Sequence, residues 1–437
     1  MIAPGPYPEY APSNVPLLGD VPVGWRVQPA VTLAHVLTST VDKHAVSGET
    51  EVRLCNYTDV YYRDAIEERD DYMVATATPG QVSAYSVKEG DVVFTKDSES
   101  ADDIGVSAYV PKTIPGLVYG YHLSTYRPKD KRYGRFLKWV LDSAYAKAIF
   151  QSRTLGVTRV GLSQATIRYL RVPTPPAQVA EEIADYLDSE TSKIDAFIAD
   201  QEELVKLLLE RRSAIVSHST SSTTGTPRVP VRRLIVSLSQ GWSPNCENYA
   251  AAAGEWGVLK VNCVNGGRFD ADKNKALPAE IQPQRELAVK SGDVLMSRGN
   301  TRDLVGSAAL VGADHPNLLI SDLLYRLKPN NAMVTGRYLV AALSGREARG
   351  QLESSAKGTS ASMQKLSQGD ILNVRIAVPS LGEQLVIADR LDRETAELDA
   401  ALADARGSIS LSRELRATLI SAAVTGRIDL RRWRDRA

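Results

Sequence analysis

The stretch SQATIRYLRVPTPPAQVAEEIADYLDSETSKIDAFIADQEELVKLLLERRSAIVS, Ser163 to Ser217, decides how this chain is built. It recurs without a gap as Ser367 to Ser421, at a constant offset of 204 positions, and 20 of the 55 paired residues are identical. Ile183-Ala184-Asp185 matches Ile387-Ala388-Asp389, Leu187-Asp188 matches Leu391-Asp392, and Glu190-Thr191 matches Glu394-Thr395. A period this long excludes a solenoid, whose units run to a few tens of residues. The repeated unit is therefore a globular domain followed by this segment.

Most of the segment reads as helix. Apolar residues common to both copies fall at Ile183, Leu187, Ile194, Ile198 and Val205, paired with Ile387, Leu391, Leu398, Leu402 and Ile409. Their spacing alternates between four and seven residues, an 11-residue period close to that of an untwisted helix. Such a helix has one narrow apolar seam and needs a partner, which the other copy can supply. Thr174, before Pro175-Pro176, is placed to cap the first helix. Ser380 to Glu383 reads as a capping box for the second, and Thr425-Gly426 as its stop. Some 42 residues at about 1.5 Å each make a rod of roughly 60 Å, and two antiparallel rods would hold two globular domains apart.

Outside the helices the pattern is mixed. The first thirty residues hold seven prolines and read as an irregular arm. Short β-rich runs such as Asp91 to Phe94, and a helical run from Tyr133 to Phe150, come after it. The polar stretch Ser217 to Thr226 reads as a linker, before a second mixed region. The two mixed regions share weaker matches: Val87 to Val92 with Val289 to Val294, and Tyr126-Arg127-Pro128-Lys129 with Tyr325-Arg326-Leu327-Lys328. Trp25 and Trp242 open the two regions at similar places. The layout is thus 1–162, a globular domain; 163–217, a long helical segment; 218–228, a linker; 229–366, a second domain; and 367–437, a second helical segment with a tail. The fold class is α+β, with two α/β domains separated by two long antiparallel helices and an internal pseudo-two-fold.

Lys and Arg number 52, as do Asp and Glu, giving a formal net charge of zero. The distribution is uneven. Pro176 to Ser217 holds ten acidic residues against four basic, and Ser380 to Thr425 eight against five, leaving a surplus of nine positive charges elsewhere. Acidic helices and basic domains point to a nucleic-acid partner for the domains. Cys55, Cys246 and Cys263, an odd and widely spaced set, suit a reducing cytoplasm. No apolar run approaches the roughly 18 residues of a membrane span, and the N-terminus lacks the pattern of a secretory leader, so a cytoplasmic protein is expected.

No catalytic motif is present: there is no GK[ST] phosphate loop, GxGxxG, HExxH or GxSxG, and no Asn/Asp-Pro-Pro-aromatic run. His35, His44, His122, His218 and His315 have no ligand spacing. Lys96 and the run Arg298, Asn300, Thr301, Arg302 each come after a Gly-Asp-Val strand at the same place in their domains. Arg and Asn are the residue types that read guanine and adenine edges, although turn residues would look similar. The stretch Arg127 to Lys138 carries Arg127, Lys129, Lys131, Arg132 and Arg135 as candidate phosphate contacts, against the alternative of a solvated helix end. Glu181, Glu182, Glu202 and Glu203 form acidic clusters expected on an exposed helix face.

The order domain, helix, domain, helix resembles the specificity subunit of type I restriction–modification systems. So do Leu-Ser-Gln before a strand, the Pro-initiated helix, Ile-Ala-Asp-x-Leu-Asp-x-Glu-Thr twice, and Ala423 to Ile428. One departure is that Ser219 to Thr224 stands where the second copy has Ala-Val-Thr-Gly, implying a looser junction. The resemblance implies two target-recognition domains, each reading half of a split double-stranded DNA site, and no catalysis by this chain. It further implies two modification subunits docked on the helices, with Glu181, Glu182, Glu202 and Glu203 as candidate docking residues, and restriction subunits in the full complex. S-adenosylmethionine for adenine methylation, and ATP and Mg for cleavage, would then belong to those partners, with no cofactor on this chain. A coiled-coil scaffold presenting two carbohydrate- or protein-binding domains is the other reading of the same layout.

Overall fold

A computed structural model describes residues 5–156, 159–221, 226–358, 363–431 and 433. The chain forms two compact units, Met1–Gln201 with Gly407–Ala437, and Glu202–Arg406. Two helices of 44 residues, Ala177–Thr220 and Leu381–Val424, each contribute one half to each unit. Residues 218–220, placed in the linker by their polarity, close the first helix instead; residues 222–225 of that linker lie outside the described residues.

The first unit is built on a four-stranded antiparallel sheet ordered Ala34–Thr38, Leu123–Pro128, Val92–Thr95, Ser107–Tyr109. Beside it lies a three-stranded sheet of Leu117–Tyr119, Thr50–Cys55 and Met73–Ala77, its first pair parallel. The helical run after Tyr133 is two helices, Gly134–Asp142 and Ala144–Ser152, because Ser143 turns extended and its hydroxyl accepts from the Ala146 amide. The Pro-rich start is more ordered than its composition suggests. Tyr10–Pro12 pairs with Asp20–Pro22, and Arg26–Pro29 pairs with Arg171–Thr174. Pro12, Pro22 and Pro29 each end a strand, where a missing N–H costs the ladder little.

The core of this unit draws on both ends of the chain: Phe94, Tyr126, Phe136, Ile183 and Leu187 pack with Ile420, Ala423, Val424 and Leu430. Gly426 ends the second helix at φ +73, its N–H on the Ala423 carbonyl and the Arg427 N–H on the Ala422 carbonyl. A Cβ there would come within 2.4 Å of the Pro22 ring, so only glycine fits both the turn and the neighbour.

The second unit repeats the plan. Its antiparallel sheet runs Ile235–Gln240, Leu324–Pro329, Val294–Ser297, Ala308–Leu310. The companion sheet runs Asn274–Ala276, Gly257–Leu259, His315–Leu319, Ala288–Val289, one strand more than its counterpart. Helices Gly336–Ser344 and Arg346–Ser355 come next, as in the first unit.

Within each unit the two helix halves run antiparallel, and the ion pairs between them obey the 204-residue offset. Arg416 Nε donates to Asp195 in the first unit, at 2.9 Å, and Arg212 Nε donates to Asp399 in the second, at 2.8 Å. The expected seam is buried at Ile183, Leu187, Leu391, Leu398, Leu402 and Ile409 and half-buried at the rest. The Ser380–Glu383 capping box forms: the Ser380 amide and hydroxyl both donate to the Glu383 carboxylate. Thr174 does not cap; its hydroxyl donates to the Val172 carbonyl, and helix begins only beyond Pro176.

Candidate nucleic-acid interface

Each unit's main sheet is closed by one buried ion pair. Asp91 in the first unit accepts from Arg127 Nε at 2.8 Å and Nη2 at 2.7 Å. Asp293 in the second pairs with Arg326 Nε at 3.1 Å. Both aspartates also accept a backbone N–H, from Lys88 and Lys290, at 3.0 Å. The preceding glycines, Gly90 and Gly292, hold φ at +88 and +85, which sends the chain into the strand with its carboxylate turned inward. Neighbouring tyrosines repeat the pattern, Tyr126 donating to the Ile167 carbonyl and Tyr325 to that of Leu366. The Glu/Ser-Gly-Asp-Val and Tyr-Arg matches between the domains are thus the two halves of one structural contact.

The helices after the sheets are tied to the long helices by the repeated Asp-x-x-Asp. Arg135 pairs with Asp185 at 2.7 Å and Asp188 at 2.8 Å, and Arg337 with Asp389 at 2.8 Å and also with Asp392. Ser217 and Ser421, the last pair of the repeat, accept at 3.0 Å from the amides of Arg346 and Ala144, the first residues of the short helices they meet.

These contacts redistribute the basic stretch Arg127 to Lys138, which is not one charged face. Arg127 is held by Asp91 and Arg135 by the long helix. Lys129 Nζ donates to the Val31 and Thr32 carbonyls, Lys138 pairs with Asp64 and Asp142, and Arg132 forks onto Asp130. Lys131, with Glu89 at 3.6 Å, and Arg132 keep side chains more than half exposed. Counting charges along a run cannot see partners that arrive from thirty or more residues away. Likewise Glu202 and Glu203 are exposed as expected, whereas Glu181 and Glu182 are half-buried beside the first unit's body.

Lys96 and Arg298 occupy one position. The Lys96 amide bonds the His122 carbonyl and its own carbonyl receives the Leu162 amide; Arg298 does the same with Leu323 and Leu366. The residues immediately beyond them differ. In the first unit Asp97–Ser98 pairs with Val160–Leu162, and Asp97 is occupied by His122 Nδ1 at 2.7 Å and Arg159 at 3.4 Å. In the second, Gly299–Asn300 pairs with Gln364–Lys365, and Lys365 also bridges to Lys357. Lys357 and Lys365 are exposed and have no ion-pair partner among the described residues. They are a basic contribution that linear reading missed, since nothing in the sequence shows that this segment pairs beside Arg298. Arg298 itself lies back, Nη1 on the Asp322 carbonyl at 3.4 Å and its guanidinium 6.0 Å above the Tyr325 ring. Asn300 Nδ2 reaches Asn265 at 3.4 Å, the Asn300 side chain accepts from the Thr301 amide, and Arg302 is exposed.

A short helix, Tyr57–Tyr61, stands against the same edge in the first unit. Tyr57 and Tyr61 stack at 5.3 Å with planes 18° apart. Burial raises the Tyr57 pKa, and a 2.6 Å hydrogen bond to Asp103 pushes that of Tyr61 up to about 12, so both keep their protons at neutral pH.

Among the described residues no group of three or more His, Cys, Asp or Glu could hold a metal ion, and no helix is long and apolar enough to cross a membrane. Residues 49–206 match the family model of the type I restriction modification DNA specificity domain. The type I restriction enzyme EcoEI specificity subunit of Escherichia coli is 28% identical over 163 residues, 37% of this chain and 27% of that one. The StySPI specificity subunit of Salmonella potsdam is 20% identical over 95% of this chain and 91% of its own length. Residues 49–206 thus carry a type I restriction modification DNA specificity domain, and the chain resembles type I specificity subunits over 95% of its length. Its fold is shared with a solved chain described under complex assembly and conformational transition of the type I R-M system, at a TM-score of 0.62 and 16% identity, covering 92% of this chain and 98% of that one. The duplicated frame keeps one main-sheet topology in both units, with different side chains at the sheet edges beyond Lys96 and Arg298. The matched stretch covers about a quarter of the E. coli relative's length.

Proposed function

We propose that each unit binds one half of a split double-stranded DNA site, and that the chain performs no chemistry itself. One observation carries this reading. The two units keep the same sheet order, the same buried Asp–Arg pair and the same backbone bonds at Lys96 and Arg298, yet present different side chains from that edge. A frame held fixed beneath a varied edge suits two readers of different sequences. Arg298, Asn300, Thr301 and Arg302, with Lys357 and Lys365, would face one half-site. Lys96 would face the other, with Lys131 and Arg132 on phosphates. Arg127, Lys129 and Arg135 would serve by holding the frame.

Modification subunits would dock on the long helices. Leu207 and Leu411, identical across the repeat, are 52% and 67% exposed, and an apolar side chain kept exposed at equivalent places in both copies suits two equivalent partners. Glu202 and Glu203 would flank the first of these. S-adenosylmethionine, ATP and Mg would belong to the modification and restriction subunits.

Mapping methylated adenines in cells carrying this chain with its modification subunits should give a two-part motif. Exchanging residues 229–366 for those of a relative should change only one part. A motif without two parts, or no salt-dependent DNA retention, would instead favour an interaction scaffold.

A further inference from the structure

Tyr62 comes directly after the Tyr57–Tyr61 helix and is 73% exposed, and its hydroxyl has no hydrogen-bond partner among the described residues. It is nevertheless held in place. Its ring stands edge-on to Tyr61, with centroids 4.9 Å apart and planes at 84°, and Tyr61 in turn stacks on Tyr57. Both inner rings are anchored, Tyr61 by its bond to Asp103 and Tyr57 by the Ser98 hydroxyl at 3.4 Å. Ser98 belongs to the strand that begins one residue after Lys96. An exposed ring on two anchored rings has its conformation fixed before any ligand arrives, which is how aromatic side chains give large contact areas at small entropic cost.

The second unit shows that this edge is where the two copies diverge. There the position of Ser98 is taken by Asn300, and the segment reaching it is the turn Val261–Gly267, through Asn265. The contact between a short helical segment and the edge strand is preserved. Tyrosines fill it in one copy, and asparagines and glycines in the other.

We infer that Tyr62 is a specificity-determining contact of the first unit, its ring meeting a base of the half-site that this unit reads while Tyr57 and Tyr61 hold it. The second unit would make the corresponding contact through the amides of Asn265 and Asn300, which suit an adenine edge. This rests on the proposed DNA reading. Ring-to-base contact does not need the phenolic hydroxyl, so Tyr62→Phe should behave as the natural chain does. Tyr62→Ala should weaken retention of the target about tenfold.

The test is selection from a pool of randomised duplexes, using the full chain co-expressed with its modification subunits, as natural, Tyr62→Ala and Tyr62→Phe forms with matched thermal unfolding. The expected result is loss of sequence preference at one or two positions of a single half-site in Tyr62→Ala, the other half unchanged, and full preference in Tyr62→Phe. If Tyr62→Ala selects the same sequence with unchanged retention, or if both halves weaken together, the inference is overturned while the DNA reading stands. If the natural chain enriches no sequence at all, the DNA reading itself fails.

Discussion

The two units solve one folding problem twice, and the comparison separates what holds a reading domain together from what it reads. The Asp–Arg closure of the main sheet, the Asp-x-x-Asp grip on the arginine of the next helix, and the serine that receives a short helix's first amide recur side chain for side chain. Beyond Lys96 and Arg298 nothing recurs but the backbone. The first unit's edge carries an occupied Asp97 and a tyrosine stack. The second carries two exposed lysines with no ion-pair partner among the described residues, and an amide pair.

The comparison is most easily broken at the buried pairs. Removing one member of a buried ion pair leaves the other charge without compensation and costs about 3–5 kcal/mol. Arg326→Ala should approach that loss, since Asp293 would keep only the Lys290 amide. Arg127→Ala should cost less, because the Tyr119 hydroxyl still donates to Asp91 at 2.9 Å. Denaturant unfolding of the two variants checks this, and equal losses would mean that the Tyr119 bond does not distinguish the frames.

At the edges, Lys365→Ala should weaken DNA retention evenly across sequences and reduce the salt slope by about 1, as a phosphate contact does. Arg298→Ala should relax preference at a defined base, a loss of about 1–3 kcal/mol in discrimination. Retention measured at several salt concentrations separates the two behaviours. Base preference lost in Lys365→Ala would reverse their assignments.

The smallest effects should lie between the helices. Asp399 is well buried and shared by Arg212 and Arg268, whereas Asp195 is about half exposed and meets Arg416 alone. A double-mutant cycle on Arg416 and Asp195 should give about 0.2–1 kcal/mol of coupling. The cycle on Arg212 and Asp399 should exceed it, nearer the roughly 1.5–3 kcal/mol of hydrogen bonds to charged groups. Equal couplings would show that burial does not set the two apart.

The sequence by itself determined the duplication, the two long helices and their seam, and the family resemblance, because each is written in identities or periods along a line. It also marked Lys96 and Arg298 as equivalent, since each comes after the same Gly-Asp-Val strand. Three tyrosines within six residues, Tyr57, Tyr61 and Tyr62, were a signal for the stack, but only a weak one. The tertiary structure alone decided which charges are available. Arg127 looked like a surface cation and is half of a buried pair, because its partner lies 36 residues away across the sheet. Lys357 and Lys365 looked unremarkable and come to the edge beside Arg298, because the strand of Lys365 pairs there and Lys357 bridges to it. A charge acts through its surroundings, and those surroundings are assembled only when distant strands pair.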